Sequence, residues 1–211
     1  RHPGEKFVER YENEWPLART QWTKFFLEPG GRSLQREAPA AETSIAYATT
    51  GDGVTFYTPP LDEPLEITGP VACKLFLSSA TNDADVFVIL RVFDPDGKEV
   101  TFQGALDPRT PVGQGWLRAS HRKLDPQLTK PYRPYHTHDE IQPLAPGEVY
   151  ELDIEIWPTC IVVPHGYRVA LTVRGKDYEF GGPPIVIPHA FYTFSGVGPF
   201  FHTHPQDRPA G

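Results

Sequence analysis

The sequence predicts an all-β protein, an antiparallel β-sandwich of jelly-roll or Greek-key type with long proline-rich loops. Three observations carry this prediction. The stretch from residue 84 to residue 102 has the pattern of a buried strand followed by a hairpin. About nine short runs alternate apolar and polar residues between turn signals, which is typical of sandwiches. The 211 residues include 24 prolines, and because proline disrupts a helix interior, no long helical repeat survives between them.

The hairpin region is the most informative part of the sequence. Successive side chains of a strand point to opposite faces, and here both faces are apolar: one carries Val86, Val88, Leu90 and Val92, the other Phe87, Ile89 and Phe93. Such a strand is covered on both sides, near the middle of its sheet. Residues 94–97 read Asp-Pro-Asp-Gly, which favours a turn. We therefore expect the chain to return along residues 99–102.

Before this hairpin, strands are expected where alternating runs lie between turn residues. The Gly69-Pro70 dipeptide should interrupt the chain and separate two of these strands. A polar, alanine-rich segment at residues 32–43 is expected to be a loop. The predicted strands are residues 20–27, 44–49, 54–58, 65–68 and 71–79.

After the hairpin, three further strands are predicted, at residues 115–122, 150–156 and 167–174. The second has the clearest half-buried pattern, since apolar residues at the even positions from Tyr150 to Ile156 alternate with three acidic residues. Between the first two strands, the proline-rich residues 125–147 are expected to form a long irregular excursion. The tail from residue 181 is also predicted to be irregular.

Composition and charge narrow the classes of function. The net charge is −7 and the basic residues are scattered, which argues against a nucleic-acid partner. No apolar run reaches the length of about 18 residues that a membrane span needs, and the chain does not open with a signal peptide. It contains no methionine and begins at Arg1. We therefore expect a single β-sandwich domain, residues 1–211, that is a fragment of a larger cytoplasmic protein.

The two cysteines, Cys73 and Cys160, both lie in apolar strand patterns. They could join two sheets through a disulfide, but two free buried thiols in a reducing compartment is the favoured interpretation. Neither a CxxC motif nor a zinc-like Cys/His spacing occurs.

A serine nucleophile has no evident place in this sequence. The Gly-x-Ser-x-Gly elbow of α/β-hydrolases is absent. Ser120 and His121 are neighbours on a predicted strand, so their side chains should point to opposite faces and could not act as a nucleophile and its base. We predict no catalytic residue and no cofactor in this chain.

Histidines in two proline-rich loops offer weak metal candidates. His136 and His138 are two residues apart and precede Asp139, and a second pair, His202 and His204, has the same spacing. In an extended chain this spacing places both imidazoles on one side, as a metal site could use. Because histidines in loops often only hydrogen-bond to the backbone, no metal site is predicted, and His136, His138 and Asp139 stand as candidates only.

The tryptophans allow a second class of function. Trp15, Trp22, Trp116 and Trp157 could form a stacking platform for sugars, as in carbohydrate-binding modules of similar shape. Filling the core or an interface with a partner domain is the favoured role. A stand-alone carbohydrate- or ligand-binding module remains the alternative function.

A series of motifs along the chain resembles a known domain. In order, these are Tyr-Glu-Asn-Glu-Trp-Pro (11–16), Thr-Pro-Pro-Leu (58–61), Glu-Ile-Thr-Gly-Pro (66–70), Ser-Ser-Ala-Thr-Asn-Asp-Ala-Asp (78–85), Phe-Asp-Pro-Asp-Gly (93–97), Gly-Trp-Leu-Arg-Ala-Ser-His-Arg (115–122), Pro-Gly-Glu (146–148), Gly-Tyr-Arg (166–168) and Gly-Lys-Asp-Tyr (175–178). Together they resemble the C-terminal domain of the CocE/NonD family of serine hydrolases, which includes X-Pro dipeptidyl-peptidases and cocaine esterase.

The resemblance implies a jelly-roll, galactose-binding-like sandwich that packs against an upstream α/β-hydrolase domain. That other domain would hold the serine, acid and histidine, and would cleave esters or amides. The present chain would support it and shape the entrance to its active site, and it could also form a homo-oligomer. The candidate interdomain or substrate-entrance residues are Trp116, Arg118, His121, Arg122, Asp177 and Tyr178.

Overall fold

The computed structural model describes residues 7–102 and 109–178. Within these residues the regular structure consists of strands and one short 3₁₀ turn, Ala119–His121, so the all-β prediction is confirmed. Among the described residues, no helix is long and apolar enough to cross a membrane. The strands are β1 Phe26–Glu28, β2 Ser33–Gln35, β3 Val54–Tyr57, β4 Leu65–Leu77, β5 Asp85–Phe93, β6 Glu99–Val100, β7 Gly113–Arg118, β8 Tyr150–Val163 and β9 Arg168–Arg174.

These strands form two sheets. The larger has the order β1-β2-β3-β9-β5-β6, with β7 also paired to β5, and the smaller consists of β4 and β8. All pairings are antiparallel except the contact of β2 with β3, which is parallel at Ser33 and Tyr57. The jelly-roll connectivity stays a prediction.

The core lies between the two sheets. β5 is hydrogen-bonded to β9 along one side and to β7 and β6 along the other, so it is the central strand that its two apolar faces predicted. One of its faces packs in the main core with the inward side chains of β8. On the opposite face, Phe87 and Ile89 form a second, smaller cluster with Tyr178 and Trp116.

Two predicted strand boundaries are wrong around β4. The expected break at Gly69-Pro70 is a bulge within one continuous strand, because the register with β8 shifts between Gly69 and Val71. Gly69 has φ = 137°, a conformation that glycine adopts without steric cost. The alternation of buried and exposed side chains along β8 shifts by one residue at the same place. Ile156 is buried, Trp157 and Pro158 are exposed, and Thr159 is buried again.

The first part of the chain also differs from the prediction. Residues 44–49 form no strand, although Ile45 and Tyr47 do pack against the core as their alternation suggested. The strand predicted at residues 20–27 is limited to β1, and β2 lies in the segment expected to be a loop. Alternation therefore reported which side chains are buried, but not whether the backbone found a partner strand.

Both cysteines are free, as predicted, but only Cys73 is buried. Burial raises the pKa of the Cys73 thiol to about 12. Cys160 is exposed because it follows the change of phase in β8, which turns its side chain outward. There the thiol lies 3.3 Å from the Thr68 hydroxyl. The prediction of two buried thiols is therefore wrong for Cys160.

Candidate interdomain face

The six predicted face residues lie along β7, in and directly after the turn that follows it, and in the segment that follows β9. Antiparallel pairing of β7 with β5 sets Trp116 opposite Phe87, on the outer face of the larger sheet. Tyr178 reaches the same cluster and is only 5% exposed. The structure thus brings Trp116 and Tyr178 together, with Tyr178 buried inside the cluster. Asp177 accepts a hydrogen bond from the backbone N–H of Tyr178 at 2.8 Å.

Arg118 has an internal role. Its Nε and Nη2 donate to the two carboxylate oxygens of Asp85 at 2.7 and 3.0 Å, a paired geometry that is among the strongest for charged groups. The side chain of Asp85 is 3% exposed and that of Arg118 is 25% exposed. This ion pair fixes the end of β7 against the start of β5.

The turn after β7 does not have the strand geometry that the sequence suggested. Ser120 and His121 lie in the 3₁₀ turn Ala119–His121, so the expectation that they alternate along a strand is wrong. Asp83 accepts hydrogen bonds from the backbone N–H groups of Ala84 and Ser120 at 2.8 and 2.9 Å. Ser120 is 2% exposed, and its burial withholds its hydroxyl from solvent.

Arg122 ties the proline-rich excursion to the sandwich. Its guanidinium donates to the backbone carbonyls of Ala119 and Gln142 and lies over the ring of Tyr150, 4.5 Å from the centroid. Like Arg118, it is engaged inside the fold. The sequence could not reveal the contacts with Gln142 and Tyr150, because both residues are distant from Arg122 along the chain.

His121 meets a histidine of the excursion. Its Nδ1 lies 3.2 Å from Nδ1 of His138, and the ring of His136 lies 6.0 Å from that of His138. Burial, followed by the charge of His138, lowers the pKa of His136. In residues 7–102 and 109–178, no group of three or more His, Cys, Asp or Glu side chains could hold a metal ion. His202 and His204 lie outside the described residues.

Asp139, the third metal candidate, is directed elsewhere. Its carboxylate accepts hydrogen bonds from the Thr137 hydroxyl and from Lys123, the latter at 3.2 Å. These two contacts, with Thr137 first, lower the pKa of Asp139. Lys123 also pairs with Glu140 at 3.0 Å. Asp139 was grouped with His136 and His138 because it is close to them in the sequence. In the structure its carboxylate instead contacts Thr137 and Lys123.

Three of the four tryptophans considered for a sugar-stacking platform pack against other aromatic rings. Trp116 and Trp157 are in contact, with ring centroids 5.5 Å apart and planes tilted by 53°. Trp22 stacks on Tyr132 at 4.5 Å, so one of its faces is covered. Trp157 is 58% exposed and was not among the predicted face residues. The outward position of Trp157 continues the alternation of β8, in which Glu151, Asp153 and Glu155 also point away from the core, so the sequence pattern could have indicated it.

Comparison with known proteins gives one family. The model of the family described as "X-Pro dipeptidyl-peptidase C-terminal non-catalytic domain" matches residues 2–185. Two mycobacterial proteins named "Putative serine esterase", from Mycobacterium bovis and Mycobacterium tuberculosis, are 36% identical over 83% of this chain and 32% of their own length. Cocaine esterase from a Rhodococcus strain is 22% identical over 80% of this chain and 32% of the enzyme. The chain thus spans about a third of the length of the curated relatives it matches.

Solved structures give the same fold. A CocE/NonD family hydrolase from Staphylococcus aureus superposes with a TM-score of 0.80 at 24% identity, covering 86% of this chain and 33% of that protein. A second crystal structure of that hydrolase gives 0.71 at 26% identity, covering 80% and 31%. An archaeal aminopeptidase gives 0.58 at 19% identity, covering 76% and 30%.

Proposed function

Because the chain belongs to the family of X-Pro dipeptidyl-peptidase C-terminal non-catalytic domains, we propose that it serves a cytoplasmic serine hydrolase of CocE/NonD type that cleaves esters or amides. The observation that carries the proposal is the family match over residues 2–185. The alignment with about a third of two serine esterases, at 36% identity, supports it. The nucleophile, its base and the oxyanion hole would belong to an α/β-hydrolase domain, and this chain would contribute a rigid wall beside them.

The surface that meets the hydrolase domain is proposed to be the tryptophan corner, defined as Trp116 and Trp157. Two large aromatic side chains meet there at the junction of the two sheets, and Trp157 is 58% exposed. Tryptophan is enriched in the buried centres of interfaces, because it covers a large apolar area with few rotatable bonds. His121 and Asp177, both partly exposed, remain candidate contacts from the predicted face.

A fluorophosphonate probe tests whether the serine nucleophile lies in the hydrolase domain and not in this chain. It reacts covalently with an activated serine. We expect it to label the complete hydrolase that contains this chain and to leave the isolated 211-residue chain unlabelled. The control is the same pair of proteins after heat denaturation, where neither should react. Labelling of the native isolated chain would contradict the proposal, because the nucleophile would then lie here.

Substitution of Trp157 tests the tryptophan corner. In the complete hydrolase we expect Trp157→Ala to weaken the interface between the two domains by about 2 kcal/mol, because removal of a buried tryptophan leaves an unfilled pocket. The thermal unfolding midpoint and kcat/KM should both fall as a result. Phe76→Ala is the matched control, because it also removes an exposed aromatic side chain, but outside the tryptophan corner. Phe76 is 70% exposed on β4 and pairs with Glu151, six positions before Trp157. Equal behaviour of the two variants would exclude this corner as the interface.

A further inference from the structure

Residues 7–19 form an N-terminal arm that precedes β1 and contains no strand. Most of its side chains are exposed, including four large apolar ones, Phe7, Val8, Tyr11 and Trp15. Tyr11 is the clearest case, with 90% of its surface exposed. A single exposed apolar side chain needs no explanation, but four within nine residues are a concentration typical of an interaction surface.

Polar contacts hold this arm against β4. Arg10 donates from Nη2 to Oε1 of Glu66 on β4 at 2.8 Å, and its Nε lies 2.7 Å from the carboxylate of Glu12. Glu12 also accepts hydrogen bonds from the guanidinium of Arg19. Leu17, which is only 5% exposed, anchors the arm near its other end. The arm is therefore a positioned segment, and its apolar side chains point to solvent from a defined place on the fold.

The arm contacts the same outer face of the smaller sheet that carries Trp157. Glu66, which holds the arm, pairs with Val162 of β8, and Thr68 pairs with Cys160. Val162, Cys160 and Trp157 are all exposed on this face. Trp157 is three residues from Cys160, which corresponds to about 10 Å along a strand. A single partner surface can therefore cover both the arm and the tryptophan corner.

The length of the relatives indicates which partner covers the arm. The family to which the chain belongs is described as a C-terminal domain, and the match spans 32% of each mycobacterial esterase. Most of each esterase therefore lies outside the matched domain, and a C-terminal domain follows it. The arm is the described segment closest along the chain to that preceding part. Aromatic side chains such as those of the arm are enriched at the buried centres of interfaces.

We propose that the N-terminal arm packs through Tyr11 and Trp15 against the α/β-hydrolase domain and extends the interface of the tryptophan corner. The inference rests on the proposed function, because it requires a hydrolase domain as the partner. The fluorophosphonate experiment tests that function separately. A hydrolase that reacts with the probe but leaves the arm accessible would exclude the inference and leave the proposed function standing.

Alkylation of cysteine variants of the complete hydrolase tests the position of the arm. The variants are Tyr11→Cys and, as the matched control, Phe76→Cys, since both aromatic side chains are exposed in this chain, by 90% and 70%. The parent hydrolase gives the background from its native cysteines. We expect a bulky maleimide to modify Tyr11→Cys at least about tenfold more slowly than Phe76→Cys, because access would require the interface to open locally. In urea the two rates should become equal.

The rates are read together with sedimentation of the same samples, which reports the oligomeric state. Slow modification of Tyr11→Cys that persists in the monomeric hydrolase supports the proposal. If the two variants react at equal rates in the native hydrolase, the arm faces water there and the proposal is wrong. Protection that disappears when an oligomer dissociates on dilution would also overturn it, because a second copy of the protein would then cover the arm.

Discussion

Gly115→Ala is expected to lower the free energy of unfolding by about 3 kcal/mol or more, through overpacking between the two sheets. A Cβ atom at this position would lie 1.9 Å from the carbonyl oxygen of Glu155 and 3.1 Å from Cα of Ile156. Both are backbone atoms of β8, so no rotamer change can relieve the contact. One of the two strands would have to move away, and the ladders that pair β7 with β5 and β8 with β4 would be strained.

The matched control is Gly113→Ala, two residues earlier on the same strand. There the nearest atoms to an added Cβ are Cγ2 of Ile156 and the carbonyl oxygen of Trp157, both at 3.2 Å. A shift of a few tenths of an ångström accommodates such a contact, so the loss should be clearly smaller. Urea unfolding of both variants measures the difference. Equal midpoints would show that β7 and β8 do not approach each other as closely as the structure places them.

The close approach at Gly115 also links the fold to the proposed interface. The next residue, Trp116, contacts Trp157 of β8 across the junction of the sheets. A larger residue at position 115 would separate the strands that carry these two rings. Gly115→Ala should therefore disturb the tryptophan corner as well as stability, whereas Trp157→Ala should disturb the corner alone.

The central part of the fold could be predicted because its signal is local. The two apolar faces of β5 and the alternation at the start of β8 report burial directly. The errors arise where a distant partner decides the structure. The bulge at Gly69 depends on the register with β8. The shift of one residue in β8 that accompanies this bulge places the side chain of Cys160 outward. Residues 44–49 alternate as a strand does but are not paired, which no local pattern records.

The candidate site shows the same limit. The sequence singled out the stretch from Trp116 to Arg122 as a candidate, but it could not assign roles within it. Asp85, the partner of Arg118, lies 33 residues away in sequence, and Arg122 reaches a carbonyl 20 residues away. The contact of His121 with His138 likewise depends on how the excursion returns to the sandwich. Residue types thus selected candidates for the face, and tertiary contacts show which of these candidates are held inside the fold and which are accessible.

The second large effect is expected for Arg118→Met. This change removes the charge but keeps most of the volume, and it leaves the Asp85 carboxylate, 3% exposed, without its arginine. Breaking a buried ion pair from one side costs about 3–5 kcal/mol, because the remaining charge stays out of water. We expect a loss toward the lower end of that range, since the Arg118 side chain is 25% exposed. Urea unfolding measures it.

Lys74→Met is the matched control for Arg118→Met, and it separates a structural role from a role at the substrate entrance. Lys74 contacts Glu151 and Asp153 on the outer face of the smaller sheet, and its side chain is 50% exposed. An exposed ion pair contributes about 0–1 kcal/mol, so this variant should unfold almost as the parent does. In the complete hydrolase, Arg118→Met should lower stability and leave kcat/KM unchanged at temperatures where it stays folded. A fall in kcat/KM at unchanged stability would contradict this prediction. It would show that the ion pair with Asp85 contributes little to the fold and that Arg118 acts at the substrate entrance.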